Sequence, residues 1–394
     1  MKKLLMTSVA LAALAGAASG EEIKLGVSMG FTGPLESMSP DMRNGAVMAM
    51  KEVSDSGKLL DGATVTPVEA DSTCVDAAAA VAAVERLVTA EKVKGIFGGM
   101  CSGETIASLE KVAVPNGIVM ISPSATSPAL TDIDDKGFFF RTSPSDARQG
   151  EVMADLVREH GIETVAVTYT NNDYGKGLAD SFVKSFEEKG GKVTINTAHD
   201  DGKADYSAEV AALAAAGGDA LVVAGYIDQG GSGVMRGALD TGAFETFVLP
   251  DGMVSTVLDE KFGSEIDGSF GQSPAAEGEG QDKFQALAKE AGFNGTSQFA
   301  GESYDAAALI LLAMQAAKST DGKVYKDKVM EVANAPGEKI LPGELAKGLE
   351  LLAEGKDIDY VGATSVELIG PGESSGTYRV IEMKDGKMDV VGFR

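Results

Sequence analysis

Several short stretches of this sequence gather small, hydroxylic, acidic or aromatic side chains in tight loops, the chemistry needed to grip a small polar molecule. Gly99-Met-Cys-Ser-Gly103 runs into a helix with Ser102 at the expected N-cap, so free backbone N–H groups collect there and would welcome an anion. In Ser122-Pro-Ser-Ala-Thr126, Pro123 fixes a turn, small side chains let a ligand approach the backbone, and the Thr126 hydroxyl can donate to a carboxylate. Asn171-Asn-Asp-Tyr-Gly175 places the ring and hydroxyl of Tyr174 at a sheet edge. Gly225-Tyr226 and Leu249-Pro-Asp-Gly252 are two more such loops, and Asp251 can pair with an ammonium group. Taken singly, each also reads as an ordinary cap or turn.

Covalent chemistry has less support. Gly-x-Cys-x-Gly around Cys101 has the form of a nucleophile elbow, but that needs a reduced thiol beside a histidine, and only His160 and His199 exist. In an oxidising compartment Cys74 and Cys101 are most simply one disulfide, with two separate buried thiols as the alternative. Gly231-Ser-Gly-Val-Met-Arg-Gly237 misses the spacing of a dinucleotide loop. Two histidines and two cysteines leave little for a His/Cys metal site. No metal, cofactor or catalytic residue is expected.

The elements that must position these loops alternate along the chain. Strands over 23–28, 65–70, 94–98 and 117–122 are separated by helical spacing over 42–53, 75–89 and 104–114. A second series has strands over 164–168, 192–197, 219–224 and 247–249, with helices over 151–160, 177–189, 206–216 and 234–241. Charged, alanine-rich helices follow over 283–291, 304–318 and 326–333. The chain ends in strands over 364–368 and 377–391, with Asp385-Gly386 as a hairpin signal. This is the α/β class, with two doubly wound parallel-sheet lobes. Ligands of such sheets bind beyond the carboxyl ends of the strands, where the polar loops lie.

Length and charge agree. The 394 residues suggest two lobes, and 44% hydrophobic with 24% charged residues is an ordinary globular mixture. A net charge of −25 argues against nucleic acid and anionic membrane surfaces. Residues 1–20 read as a signal peptide. Lys2 and Lys3 precede an apolar stretch too short to span a bilayer, and Ala18-Ser19-Gly20 supplies a small-residue cleavage point without a lipid-accepting cysteine. The expectation is a free periplasmic protein, with monomer as the prior.

In order and spacing, Gly33-Pro34, Cys74, Cys101-Ser102, Ile121-Ser-Pro-Ser-Ala-Thr126, Arg141-Thr142, Asp173-Tyr-Gly-Lys-Gly-Leu178, Gly225-Tyr226 and Pro250-Asp-Gly252 form one pattern. The chain resembles the periplasmic solute-binding proteins for branched-chain amino acids, of the leucine/isoleucine/valine-binding type of ABC importer. That resemblance implies a type I periplasmic binding fold of two lobes joined by three crossovers: 21–142 plus 272–362, and 143–271 plus 363–394. It implies that Ser102, Ser124, Ala125 and Thr126 hold an α-carboxylate, and that Asp251 with Tyr174 and Tyr226 holds an α-ammonium. It also implies delivery of a small amino acid to membrane permease subunits. The family more often has glutamate at Asp251, glycine at Ser124 and an aromatic at Met38, which would line the side-chain pocket. A non-zwitterionic solute such as a short amide, carboxylate or urea-like compound is the main alternative. A receptor-feeding role and a cysteine hydrolase are more remote.

Overall fold

The computed structural model describes residues 20–394, so the expected signal peptide lies outside the described residues except for Gly20. Strand Glu22–Met29 is buried from Leu25 onward and pairs in parallel with both Thr64–Asp71 and Ile96–Gly98. Such an apolar run suits a parallel strand covered on both faces. The first sheet runs Leu368–Ile369, Glu373–Ser374, Phe139–Arg141, Met120–Ser122, Ile96–Gly98, Glu22–Met29, Thr64–Asp71. The second runs Lys387–Phe393, Tyr378–Lys384, Phe270–Pro274, Phe247–Leu249, Ala220–Ala224, Thr164–Thr170, Lys192–His199. In each sheet the first strand in chain order sits between the second and third, so one winding is used twice. The doubly wound α/β expectation holds, as does the Asp385-Gly386 hairpin, whose strands Tyr378–Lys384 and Lys387–Phe393 pair antiparallel.

Several helices begin earlier than the apolar spacing indicates, because polar caps set their starts. The helix expected from residue 151 begins at Asp146, where the Ser145 side chain accepts from the Ala147 N–H. The helix expected from 177 begins at Asp173, where the Asn172 side chain accepts from the Gly175 N–H. Helix Ala300–Ala317 is buried from Ala300 to Gln315 and forms the spine of the first lobe. Its close neighbour Ser39–Ser56 carries Gly45, where a Cβ would fall 2.3 Å from the Ala300 carbonyl oxygen. Helix Leu345–Ala353 and the small pair Glu338–Ile340 with Ile358–Tyr360 lie where the sequence suggested no element. Among the described residues no helix is long and apolar enough to cross a membrane.

The chain passes between sheets after Arg141, after Pro274 and after Ser374. The first passage leaves strand Phe139–Arg141 of the first sheet, beside the expected 142/143 boundary. The expected 271/272 boundary falls inside strand Phe270–Pro274, which belongs wholly to the second sheet. The 362/363 boundary is corrected further, because Leu368–Ile369 and Glu373–Ser374 still pair within the first sheet. The second and third passages are tied together, with the Ala275 N–H donating to the Thr377 carbonyl at 3.1 Å.

Candidate functional site

Loops at the carboxyl ends of both sheets converge on one narrow cavity. Ser102, Ser124, Leu35 and Phe299 line it from the first lobe, and Tyr174, Tyr226 and Asp251 from the second. A larger, more open recess lies between helices Ser207–Ala216 and Gly230–Thr241, but none of these seven side chains reaches it.

On the first-lobe wall, the cap of helix Ser102–Ser108 falls on Cys101 rather than Ser102, so Ser102 is the first helical residue. Ser102 lines the cavity at the start of this helix, where its N–H has no intrahelical partner and the positive end of the dipole lies. The loop before it is held from beneath. Glu104 accepts from the Met100 N–H at 2.8 Å, the Cys101 N–H at 3.2 Å and the Ser72 hydroxyl at 3.1 Å. Burial pushes the Glu104 carboxyl up to about 7, against the pull of those hydrogen bonds. The Cys74–Cys101 disulfide fastens the same loop, so no thiol remains for a nucleophile elbow. The Ser124 hydroxyl donates to the Met100 carbonyl at 2.8 Å, and Ser102 Oγ accepts from the Ser127 N–H at 3.1 Å.

The second-lobe wall is acidic and aromatic. The Tyr174 hydroxyl donates to Asp251 at 2.7 Å and accepts from the Gly252 N–H at 3.1 Å. The rings of Tyr174 and Tyr226 stack, 5.2 Å between centroids and 12° between planes. Asn172 donates to the Tyr226 hydroxyl at 3.3 Å. Gly252 is required by close approach, since a Cβ there would lie 2.5 Å from the Gly225 carbonyl oxygen and 2.8 Å from the Tyr174 hydroxyl. Burial raises the Asp251 carboxyl, while the Tyr174 hydroxyl and Gly252 N–H oppose the rise. Burial, then the Asp251 charge, keeps Tyr174 protonated and therefore a donor.

The remaining expected site residues lie elsewhere. Ala125 packs in a core beneath the first sheet, and its N–H already donates to Ser122 Oγ at 2.9 Å. Thr126 is buried behind the wall, its hydroxyl without a partner among the described residues. Met38 borders a neighbouring recess with Val254 and Arg379, while Leu35 and Phe299 supply the apolar cavity lining. Leu35 sits next to the Gly33-Pro34 turn, a signal that was available; Phe299 follows a loop far along the chain and has none. Arg141 is a buried brace, donating to the carbonyls of Ala125 and Ser127 at 3.1 and 2.9 Å and pairing with Glu373 at 2.5 Å.

The lobes touch around the cavity. The Ser37 N–H donates to Asp228 at 2.9 Å, the Asp228 N–H to the Pro34 carbonyl at 3.2 Å, and the Ser127 hydroxyl to the Asp173 carbonyl at 3.0 Å. The cleft is shut, with donors on one wall and a carboxylate on the other.

Comparison with known proteins agrees with this architecture. The family model described as "Periplasmic binding protein" matches residues 22–337. A Leu/Ile/Val-binding protein homolog of Brucella melitensis is 30% identical over 347 residues, 86% of this chain and 89% of that one. A leucine-, isoleucine-, valine-, threonine- and alanine-binding protein of Pseudomonas aeruginosa is 30% identical over 67% of this chain and 70% of its own length. The fold of a leucine-binding protein from Thermotoga maritima superposes with a TM-score of 0.79 at 23% identity, covering 94% of this chain and 98% of that one.

Proposed function

From the premise that the chain belongs to the periplasmic binding protein family, we propose that it captures a small aliphatic amino acid of the branched-chain type and presents it to the membrane subunits of an ABC importer. The observation that carries this reading is the division of labour across the shut cavity. Ser102, its helix N-terminus and Ser124 face from one lobe, and the buried Asp251–Tyr174 pair faces from the other. A carboxylate suits the first wall and an ammonium the second. Each lobe alone satisfies half of a zwitterion, so the solute favours the closed arrangement in which both halves meet. Leu35 and Phe299 offer the aliphatic side chain an apolar lining. The relatives' printed ligands, leucine, isoleucine, valine, threonine and alanine, are of this kind. No bond is made or broken, so the site residues are binding residues, and the protein acts as a free periplasmic monomer after loss of its signal peptide.

A solute without an ammonium would leave Asp251 desolvated and without a cation, which is costly. The reading is tested by calorimetric titration with L-leucine, L-valine and L-alanine, with benzoate and acetamide as contrasts. Binding of an aliphatic amino acid that Asp251→Ala abolishes supports it. Binding of benzoate or acetamide but no amino acid would overturn it.

A further inference from the structure

Below the Asp251 wall, a second carboxylate and several other polar groups are buried together where the chain passes between the lobes. Asp146 opens the helix after the first passage, with Gln149 on its next turn. Gln272 lies in the strand before the second passage, and Tyr378 begins the strand after the third. Both carboxylate oxygens of Asp146, the side-chain amide of Gln149, Gln272 Oε1 and the hydroxyls of Tyr378 and Thr126 are buried without a partner among the described residues. An ionised Asp146 would therefore be a poorly supported buried charge, with only the nearby Thr126 hydroxyl as a donor to oppose burial and the like charge of Asp251 beside it. Arg141 is the buried cation that faces it, and its guanidinium is spent on two carbonyls, Thr131 and Glu373. The other titratable neighbours, Tyr174, Tyr226 and Tyr378, are held protonated by burial, while Arg148 acts on the Tyr378 side of the cluster.

We propose that Asp146 is a neutral carboxylic acid that positions the floor beneath Asp251, so that the shut cleft presents a single negative charge and selects a solute with a single positive head. Its proton supplies a donor to a cluster that holds unpartnered acceptors, including Gln149 Oε1 and Gln272 Oε1. Burial and the neighbouring Asp251 charge both favour the protonated form, opposed by the nearby Thr126 hydroxyl and Arg141. Asp146 is a positioning residue that acts through Asp251. The inference rests on the amino-acid reading for its selectivity but not for its protonation.

The experiment has an arm without ligand. Protein labelled with carbon-13 only at aspartate is examined at neutral pH by infrared spectroscopy, wild type against Asp146→Asn. The expected result is a protonated carboxylic-acid carbonyl band in the wild type that is lost in the variant. If Asp146→Asn fails to fold, Asp146→Glu replaces it, since burial also raises Asp251, Asp201 and Asp305 and only loss of the labelled band on substitution assigns it to Asp146. With L-leucine as probe, Asp146→Asn keeps its affinity within about threefold, because an amide reproduces a neutral acid. Asp251→Asn weakens binding at least about thirtyfold by removing the cation's partner. The absence of a labelled protonated band at neutral pH, or an Asp146→Asn loss as large as that of Asp251→Asn, would overturn the proposal. A wild type that shows the band but does not bind leucine overturns the amino-acid reading instead.

Discussion

Ser37 of the first lobe and Asp228 of the second, 191 residues apart in the chain, meet across the shut cleft, the Ser37 N–H donating to the Asp228 carboxylate at 2.9 Å. Lys261 stands 3.8 Å from the same carboxylate and holds it from within its own lobe. The pair is a latch outside the cavity, and it contributes to closure without touching the solute.

Removing the latch should therefore shift the balance of open and closed forms rather than the contacts of the ligand. Asp228→Ala is expected to weaken L-leucine by about three- to tenfold, the value of one ordinary hydrogen bond, because this one is exposed to solvent. Small-angle scattering should show a more open average at subsaturating leucine. Unchanged affinity and scattering would remove the latch from the account.

Tyr174 makes a different prediction, because its hydroxyl both donates to Asp251 and accepts from the Gly252 N–H. Tyr174→Phe keeps the stacked ring and leaves Asp251 short of a buried donor. Leucine affinity should fall by about tenfold or more, measured by calorimetry, with the fold intact by circular dichroism.

The disulfide closes a loop of 27 residues and fastens the Met100–Ser102 loop on the donor wall. Replacing both cysteines by serine should lower unfolding stability by about 3–4 kcal/mol in the chain-entropy picture. Denaturant titration reads that loss. A weakening of leucine binding in the same variant would show that the link also holds the Met100–Ser102 loop in place.

Glu302 gives a pH dependence of known sign. Burial, aided by the nearby Asp305 charge and opposed by Arg379, pushes its carboxyl up to about 8 from an ordinary value of 4.5. A group raised in the folded state contributes stability below its unfolded value and loses it as pH rises through the folded one. Glu302→Gln cannot ionise, so its stability relative to wild type should grow between roughly pH 5 and pH 8 by about 3–4 kcal/mol. A difference that stays constant over that range would show that Glu302 ionises normally.

Much of this protein is written locally. The alternation of buried strands and amphipathic helices, and turns such as Asp385-Gly386, follow from periodicities of a few residues, so the doubly wound class is legible. The loops bearing Ser102, Ser124, Tyr174, Tyr226 and Asp251 are equally legible, because sheets of this kind place their sites at strand ends. Helix starts at Asp146 and Asp173 were missed where a cap, rather than apolar spacing, sets the boundary.

What the tertiary structure alone decides is which side chains share one enclosed space. Ala125 and Thr126 differ from Ser124 by a step or two in the chain, yet one turns into the core and the other ends behind the wall. Leu35, Phe299 and Asp146 come from distant segments of the chain, and only the folded arrangement brings them to the cavity or close to Asp251. The residues themselves set the alternation, the caps and the chemistry of each loop. The packing of one lobe on the other sets the cavity, because burial and partnership depend on distances through space that no local pattern encodes.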